Sequence, residues 1–450
     1  MIAMTISLLL LSALVAIFVN ASKSTNEQAK TNSMIDNGRF AMQLLQSDIE
    51  HAGFWGGYVP QFDDLTSTVV PGDVPAAVPN PCQPYATWDS GFVMSLVGIA
   101  VQSYDTLPAG TGCLSPLAQR AGTDVLVVRH TELCVPGVGA CDPAVAGALY
   151  FQNSFCGAEQ NAGTAQTATA NTITLASTAS SIAGAYKSLV LHTLTGTGAG
   201  QFRRISSYST SNVATVDLPW TVIPDGTTTY AFAYTLGASS FPLYKRDCVG
   251  SGTPPTLPIT AGTLADTRRY ISNIYYISDL PNPDFPGQTV PTLVRSEFNV
   301  LGGVLAQQAP VPLIDGVEAF TVVLGLDTVS KSGAPIDYTQ PTLWANPNNL
   351  VLPTNRGDGA PDVFVRCTTA APCTAAQLMN SVAVRIYLLV RDRDTSPGYT
   401  DVKTYCIGEP AADGTCPVAS QYTPNDAYKR HLYVTTIRIT NVSGRRETPP

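Results

Sequence analysis

The sequence predicts an α+β protein: one long N-terminal helix, apolar and then amphipathic, packed on a β-rich, mainly antiparallel head that carries disulfides and a small inserted β module. Three observations lead to this fold. The first 19 residues carry no charge, and residues 35–52 repeat apolar side chains at helical spacing. Most of the chain after residue 53 consists of short runs rich in Val, Ile, Tyr and Thr, separated by turn residues, a pattern typical of strands.

The apolar run at the N-terminus predicts a transmembrane or filament-core segment over residues 1–22. A helix of about 20 residues rises roughly 30 Å, enough to cross a hydrocarbon core. The side chains expected in that core are Ile2, Ile6, Leu9, Leu10, Leu14, Ile17 and Phe18. A signal peptide cleaved near Val19-Asn20-Ala21 is the alternative, but the run exceeds the usual apolar region of about 7–15 residues and has no basic leader. We therefore interpret Met1 as a truncation rather than a true start.

The polar stretch after Ala21 contains neither Pro nor Gly before Gly38, so the helix is expected to continue through it. An apolar stripe at spacings of three and four then predicts packing of the helix on the head. Its members are Ile35, Gly38, Met42, Leu45, Ile49 and Ala52. The helix should end at Gly53, because glycine is the usual residue just beyond a helix. Residues 1–53 are thus predicted to form a single helical unit of about 50 residues.

The head is expected in two parts, residues 54–160 and 241–450. Its predicted strands include 123–131, 268–278 and 316–326, which are rich in Val, Ile and Tyr. Alternation in the segment SVAVRIYLLVR (381–391) predicts a half-buried strand, and HLYVTTIRIT (431–440) should be the last one.

A Thr/Ala/Ser/Gly-rich stretch, residues 161–240, is predicted to be an inserted β module. Its strand-like segments alternate with Gly- or Asn-containing turns, and it is similar to a small β module that recurs in phage tail and bacterial surface proteins. Two roles are open for it, a contact or adhesion module and an inert decoration. Such an insertion is tolerated because the cost of closing a loop grows slowly with its length.

The ten cysteines indicate disulfides and an oxidising compartment. No close pair has the C-x-x-C spacing with nearby His that zinc sites favour. Connectivity stays open, with local pairs expected first and Cys156 with Cys248 as a possible clasp around the module. The disulfide candidates are Cys134, Cys141, Cys156, Cys248, Cys367, Cys373, Cys406 and Cys416.

Nothing in the sequence predicts an enzyme or a cofactor. The net charge of −8 argues against binding of nucleic acid, which needs a basic surface. There is no nucleophile elbow, P-loop or dinucleotide motif, and the four histidines lie far apart. A hydrolase built from scattered residues is the alternative. Two acidic loops, with Asp358 and Asp362 in one and Asp392, Asp394 and Asp401 in the other, are interpreted as solvated turns, with a weak calcium site as the alternative.

The segment NGRFAMQLLQSDIEHAGFWG (37–56) resembles the signature of PilW-type minor pilins. The later stretches 313–327, 381–393 and 428–441 are also similar to that family. The prepilin processing site and the Phe-Thr-Leu-Val-Glu-Leu start of pilins are absent, so the cleavage glycine and the pilin glutamate are assigned to no residue.

This resemblance implies a pilin-like head and a role in type IV pilus assembly or priming, at the pilus tip. It implies other minor pilins, the major pilin and a tip adhesin as partners. It also implies residence in the bacterial inner membrane before assembly and then in the pilus, with the head in the periplasm or outside the cell. The alternatives are a pseudopilin of type II secretion and a membrane-anchored surface adhesin that uses the inserted module.

Overall fold

The structure, a computed structural model, describes most of the chain. The described residues are 2–107, 113–153, 162–239, 241, 243, 264–283, 285–346, 348 and 352–447, with the side chains of residues 2–6 and Leu9 left out.

Four α-helices and twenty strands make up most of the regular structure of the described chain. The helices are α1 (Ile2–His51), α2 (Ser90–Gly98), α3 (Ala375–Met379) and α4 (Thr440–Arg446). The strands of the first half are β1 (Val101–Tyr104), β2 (Val125–Thr131), β3 (Tyr150–Asn153), β4 (Ala162–Thr164), β5 (Thr167–Thr169), β6 (Thr172–Thr174), β7 (Leu189–Thr195), β8 (Phe202–Tyr208), β9 (Val213–Val216) and β10 (Thr229–Gly237). Those of the second half are β11 (Arg268–Pro281), β12 (Thr289–Leu301), β13 (Val304–Gln307), β14 (Val311–Asp315), β15 (Val317–Leu326), β16 (Val363–Val365), β17 (Ser381–Arg391), β18 (Tyr405–Cys406), β19 (Gln421–Tyr422) and β20 (Arg430–Arg438).

The predicted fold class is confirmed. Helix α1 is a single helix of 50 residues, and Gly53 follows it with φ 74°, the left-handed conformation that favours glycine at a helix end. Every strand pairing described is antiparallel. The long helix and the antiparallel head together form the α+β architecture expected from the sequence.

A four-stranded sheet in the order β16-β15-β17-β20 forms the seat of α1. Five side chains of β17, from Val382 to Val390 at alternate positions, join the core beneath the helix. The prediction of a half-buried β17 is wrong, because Ala383, Tyr387 and Leu389 on its other face are buried as well. Glu409 helps to cover that face, since Tyr387 donates a hydrogen bond to it.

A second sheet of fourteen described strands contains most of the remaining head. The segment predicted as an inserted module has its own hydrophobic core, built from residues between Ala165 and Leu243. Its strands are nevertheless continuous with the head, because β10 pairs with β3 and β3 pairs with β11. The module is therefore an extension of a shared sheet, and its boundaries at 161 and 240 stay a prediction.

Four disulfides join described cysteines. Three link the local pairs expected from the sequence, Cys134–Cys141, Cys367–Cys373 and Cys406–Cys416. The fourth, Cys82–Cys113, was not predicted, because its partners lie 31 residues apart. The predicted clasp between Cys156 and Cys248 lies outside the described residues.

In the part of the chain that the structure describes, no helix combines the length and the apolar character needed to cross a membrane. The transmembrane segment predicted over residues 1–22 is therefore not supported. That prediction drew on the apolar side chains of Ile2, Ile6 and Leu9, which lie outside the described side chains.

Candidate functional site

The first half of α1 exposes an apolar surface that the head does not cover. Every side chain from Leu10 to Asn26 is exposed. The predicted core residues Leu10, Leu14, Ile17 and Phe18 are 61%, 64%, 66% and 74% exposed. Soluble monomers rarely expose apolar surface as one continuous patch, and such patches mark contacts with another molecule. This surface, which we call the apolar half-helix, is the first component of the candidate site.

The second half of α1 is docked on the head. Of the predicted stripe, Gly38, Leu45, Ile49 and Ala52 are buried, while Ile35 and Met42 are half-buried and pack against the core. Met34 and Ala41 are also buried, although neither belongs to the predicted stripe. Because α1 is one continuous helix, the docking of its second half on the head fixes the direction in which the apolar half-helix extends from the head.

At Gly38 the backbone of α1 lies close against the seat. The hydroxyl of Tyr433, on β20, donates a hydrogen bond to the Ile35 carbonyl over 3.1 Å. A Cβ added at Gly38 would overlap the ring of that tyrosine. Glycine at this helical position thus allows the backbone to rest on an aromatic ring, which explains its place in the 37–56 segment.

Asp48 anchors α1 to the fourteen-stranded sheet from a largely buried position. Its carboxylate accepts hydrogen bonds from His130 over 2.8 Å and from Asn273 over 3.0 Å. Burial raises the pKa of Asp48, but the hydrogen bond and charge of His130 outweigh it and the pKa is lowered. Burial likewise lowers the pKa of His130, and Asp48 reverses the shift so that the pKa is raised. The other ring nitrogen of His130 contacts the Thr131 carbonyl, so this imidazole has a structural role.

A polar latch holds the middle of α1. Glu27 accepts hydrogen bonds from Lys429 and from Ser396, each over 2.6 Å. The hydrogen bonds from Lys429 and Ser396 lower the pKa of Glu27 to about 2, against a small opposing effect of burial. Lys30, one helical turn further, donates to the Thr395 carbonyl over 3.0 Å. The latch lies where the free and docked halves of α1 meet.

The stability that the latch contributes should therefore depend on pH. Because the folded-state pKa of Glu27 is lowered, its contribution to stability is complete above the ordinary pKa of about 4.5 and disappears as the pH falls through about 2. The difference in unfolding free energy between the wild type and Glu27→Gln is expected to be constant from neutral pH to about pH 5 and to shrink towards pH 2. Denaturant titrations at a series of pH values measure it. A difference that disappears already near pH 6 would contradict the assignment.

Asn441, at the start of α4, caps the C-terminal end of α1. Its side-chain amide lies 3.2, 3.2 and 3.3 Å from the carbonyls of Glu50, His51 and Ala52. The last carbonyls of a helix have no partner within the helix, so a side-chain donor there replaces water. Gly53 continues the attachment by donating its N–H to the Arg129 carbonyl over 2.9 Å. The C-terminal helix α4 thus holds the C-terminal end of α1 in place through Asn441.

Replacing Asn441 with Ala should remove this cap. We expect a loss of about 0.5–1.5 kcal/mol in unfolding free energy, the usual net value of a hydrogen bond. Chemical denaturation of the full chain measures the loss, and faster amide exchange at residues 48–52 would locate it. The exposed Asn348 supplies a control, since Asn348→Ala lies away from α1 and should change little. Equal effects of the two substitutions would contradict the role of Asn441.

The weak calcium candidates have local roles. Asp362 accepts hydrogen bonds from the N–H groups of Thr328 and Val329, and Asp358 accepts one from Ala360. Asp401 lies beside the buried Arg430 at 3.5 Å. Among the described residues, no three His, Cys, Asp or Glu side chains come together as a metal site.

Comparisons with known proteins agree with the resemblance drawn from the sequence. The family model of PilW, Type IV Pilus-assembly protein W, matches residues 274–441, which is less than half of the chain. This segment includes all four strands of the seat, and also Asn441, which caps α1. It also spans the three later stretches on which the resemblance rested, and the recognition of a PilW-type sequence is confirmed.

No curated protein sequence matches this chain. Among solved structures, the chain is similar to a type IV-like pilin from Thermus thermophilus, with 15% identity over 39% of this chain and 70% of that one. The TM-score of 0.19 is too low to support an inference.

Proposed function

We propose that this chain, whose residues 274–441 match the PilW family, is a minor pilin that takes part in the assembly or priming of a type IV pilus. The single observation that carries the proposal is the apolar half-helix, an exposed continuation of a helix whose other half is docked on the head. A protein with this form can join a bundle of like helices while its head stays at the surface of the bundle.

The partners proposed are other minor pilins and the major pilin, which would present the same kind of apolar helix. Burying apolar side chains such as Leu14 and Phe18 against these helices removes them from water at a gain of about 25 cal/mol per Å². The head, with its extended fourteen-stranded sheet, would supply lateral contacts and a place for a tip adhesin. The location proposed is therefore the pilus at the cell surface, at its tip.

The role proposed is structural and not enzymatic. The buried histidines support this role, since His130 is paired with Asp48 and burial lowers the pKa of His192 to about 4. His192 stacks on Phe202 with ring centroids 4.0 Å apart. Both histidines are used for packing and pairing within the fold.

Deletion of the gene in its own host tests the proposal. Loss of surface pili, restored by the wild-type gene, is the expected result. Pili that persist while secretion of folded enzymes fails would favour the alternative of a secretion pseudopilin. Normal pili with reduced attachment to surfaces would favour the alternative of an adhesin. Either outcome would overturn the proposal.

A further inference from the structure

A mainly apolar pocket of about 470 Å³, which we call the junction pocket, lies where the two large sheets of the head meet. One wall is formed by residues 103–106, at the end of β1, the edge strand of the fourteen-stranded sheet. Another is the loop closed by the Cys367–Cys373 disulfide, between β16 and α3, together with Leu378 of α3. Val78 and Asn80 belong to a third wall. Small-molecule sites are typically pockets of about 300–1,000 Å³ with mainly apolar walls.

Hydrogen bonds hold the walls of the junction pocket together. Thr369, in the disulfide loop, donates its N–H and its hydroxyl to the carboxylate of Asp105 over 2.9 and 2.7 Å. The side chain of Gln102, on β1, donates to the Pro79 carbonyl over 3.0 Å and so attaches the third wall to the first. The pocket is therefore formed without a ligand. A preformed site gains affinity because less conformational freedom is lost on binding.

The charges around the junction pocket favour an uncharged ligand. Its lining, all within the described residues, contains no Lys, Arg or His, and Asp105 is its one carboxylate. Arg366 acts on the charge of Asp105 and is itself held by Asp124 through two hydrogen bonds of 3.0 and 2.6 Å. An anion would thus meet a carboxylate and no cation in the lining. A cation would meet a carboxylate that already has a neighbouring guanidinium.

Ser103 is a polar group of the lining that has no partner. The residue is 3% exposed, and its hydroxyl has no hydrogen-bond partner among the described residues. A buried hydroxyl without a hydrogen bond is unfavourable. A ligand with a hydroxyl or carbonyl group at this wall would supply the missing bond. Apolar walls with a few polar groups are the usual composition of a site that orients a small ligand.

We propose that the junction pocket binds an uncharged small molecule that has an apolar body and a hydroxyl or carbonyl group. The apolar body would pack against Val78, Leu378 and the disulfide, where its burial removes apolar surface from water. The polar group would bond to the Ser103 hydroxyl. Such a site gives the head a binding function in addition to its place in an assembly. The inference rests on the pocket and does not depend on the role in pilus assembly.

Photolabelling of the full chain with hydroxymethyl-benzophenone, in a non-ionic detergent, tests the site. This probe is uncharged and combines two aromatic rings with a hydroxyl and a carbonyl group. Mass spectrometry of the irradiated protein locates the label. We expect saturable labelling of peptides that contain residues 78–80, 103–106 or 367–378. Half-maximal labelling is expected at about 0.1–1 mM, as for a ligand of this size.

Two substitutions connect the labelling with the pocket. Val78→Trp should fill the junction pocket and reduce labelling of these peptides by about tenfold or more. Val70→Trp is the matched control, because Val70 lies in the same irregular segment, is 45% exposed and does not line the pocket. Ser103→Ala should weaken labelling by about 2- to 10-fold, the contribution of one hydrogen bond. Equal labelling of Val78→Trp and the wild type would overturn the proposal.

Competition on the wild-type chain keeps the test decisive if a variant folds poorly. Benzyl alcohol should reduce the labelling of the pocket peptides, whereas sodium benzoate and benzylammonium chloride at the same concentration should reduce it much less. Equal competition by either charged compound would contradict the assignment of an uncharged ligand. Labelling confined to the apolar half-helix would mean that the probe reacts only from the detergent micelle, and the proposal would be wrong.

Discussion

Arg446→Met is expected to lower the unfolding free energy by about 3–5 kcal/mol, because it removes one partner of a buried ion-pair cluster. Arg446 and its acidic partners, Asp63 and Asp327, are each at most 2% exposed. The guanidinium lies 2.9 Å from Asp63 and 3.3 Å from Asp327, and it donates to the Met379 carbonyl over 3.0 Å. Without it, Asp327 keeps hydrogen bonds from backbone N–H groups but loses its positive partner.

Denaturant unfolding of the full chain measures this loss. Arg438→Met is the matched control, because Arg438 pairs with Glu447 in the same C-terminal region while both side chains are at least half exposed. An exposed ion pair contributes little to the free energy of unfolding. Arg438 also donates a hydrogen bond to Ser443, so the control should lose about 1–2 kcal/mol, less than Arg446→Met. If the two variants were equally stable, the burial of the Arg446 cluster would have no energetic consequence and the prediction would be wrong.

Gly38→Ala should destabilise the docked half of α1 by about 1–3 kcal/mol, the usual cost of overpacking a core. The added methyl group would overlap the Tyr433 ring, so the ring must move or the helix must lift from its seat. Intrinsic helix propensity alone predicts the opposite sign, since Ala is better than Gly by about 1 kcal/mol within a helix. The sign of the effect therefore reports the contact.

Gly444→Ala gives the control for Gly38→Ala. Gly444 lies within α4, and a Cβ there would meet nothing within 4 Å. We expect this change to be neutral or stabilising by up to about 1 kcal/mol. Replacing Tyr433 with Leu in the Gly38→Ala background should recover part of the loss. Stabilisation by Gly38→Ala itself would refute the close approach.

Local patterns explain why α1 was predictable from the sequence. The absence of Pro, the late first Gly and the apolar stripe all act over three or four residues, and together they indicate both the length of α1 and its end at Gly53. The strand assignments for β15, β17 and β20 rest on equally local alternation. The local disulfides follow for the same reason, because short spacing limits the choice of partner.

Contacts between distant residues were not predictable in this way. Asp48 meets Asn273 across 225 residues, and Asn441 caps α1 across about 390. The Cys82–Cys113 pair has no local spacing signal, and the pairing of β10 with β3 makes the module continuous with the head, which the composition shift conceals. One signal was present in the sequence: Asp48 lies in the 37–56 segment beside the apolar stripe. A charged residue in that position indicates that a polar partner is buried with it.

The central claim is that the apolar half-helix inserts among the helices of a pilus, and Leu14→Glu tests it most directly. Leu14 is 64% exposed, so the change should leave the fold of the head intact. Burying an unpaired carboxylate among apolar helices costs several kcal/mol. The amount of this protein recovered with sheared pili should therefore fall by about tenfold or more, since each 1.4 kcal/mol corresponds to a factor of about ten.

Gln43→Glu places the same charge on an exposed position of the docked half and is the control for this measurement. The account predicts that Gln43→Glu and the wild type are recovered with pili in equal amounts, while Leu14→Glu is lost from them. Recovery of Leu14→Glu at the wild-type level, at equal total protein, would contradict the account.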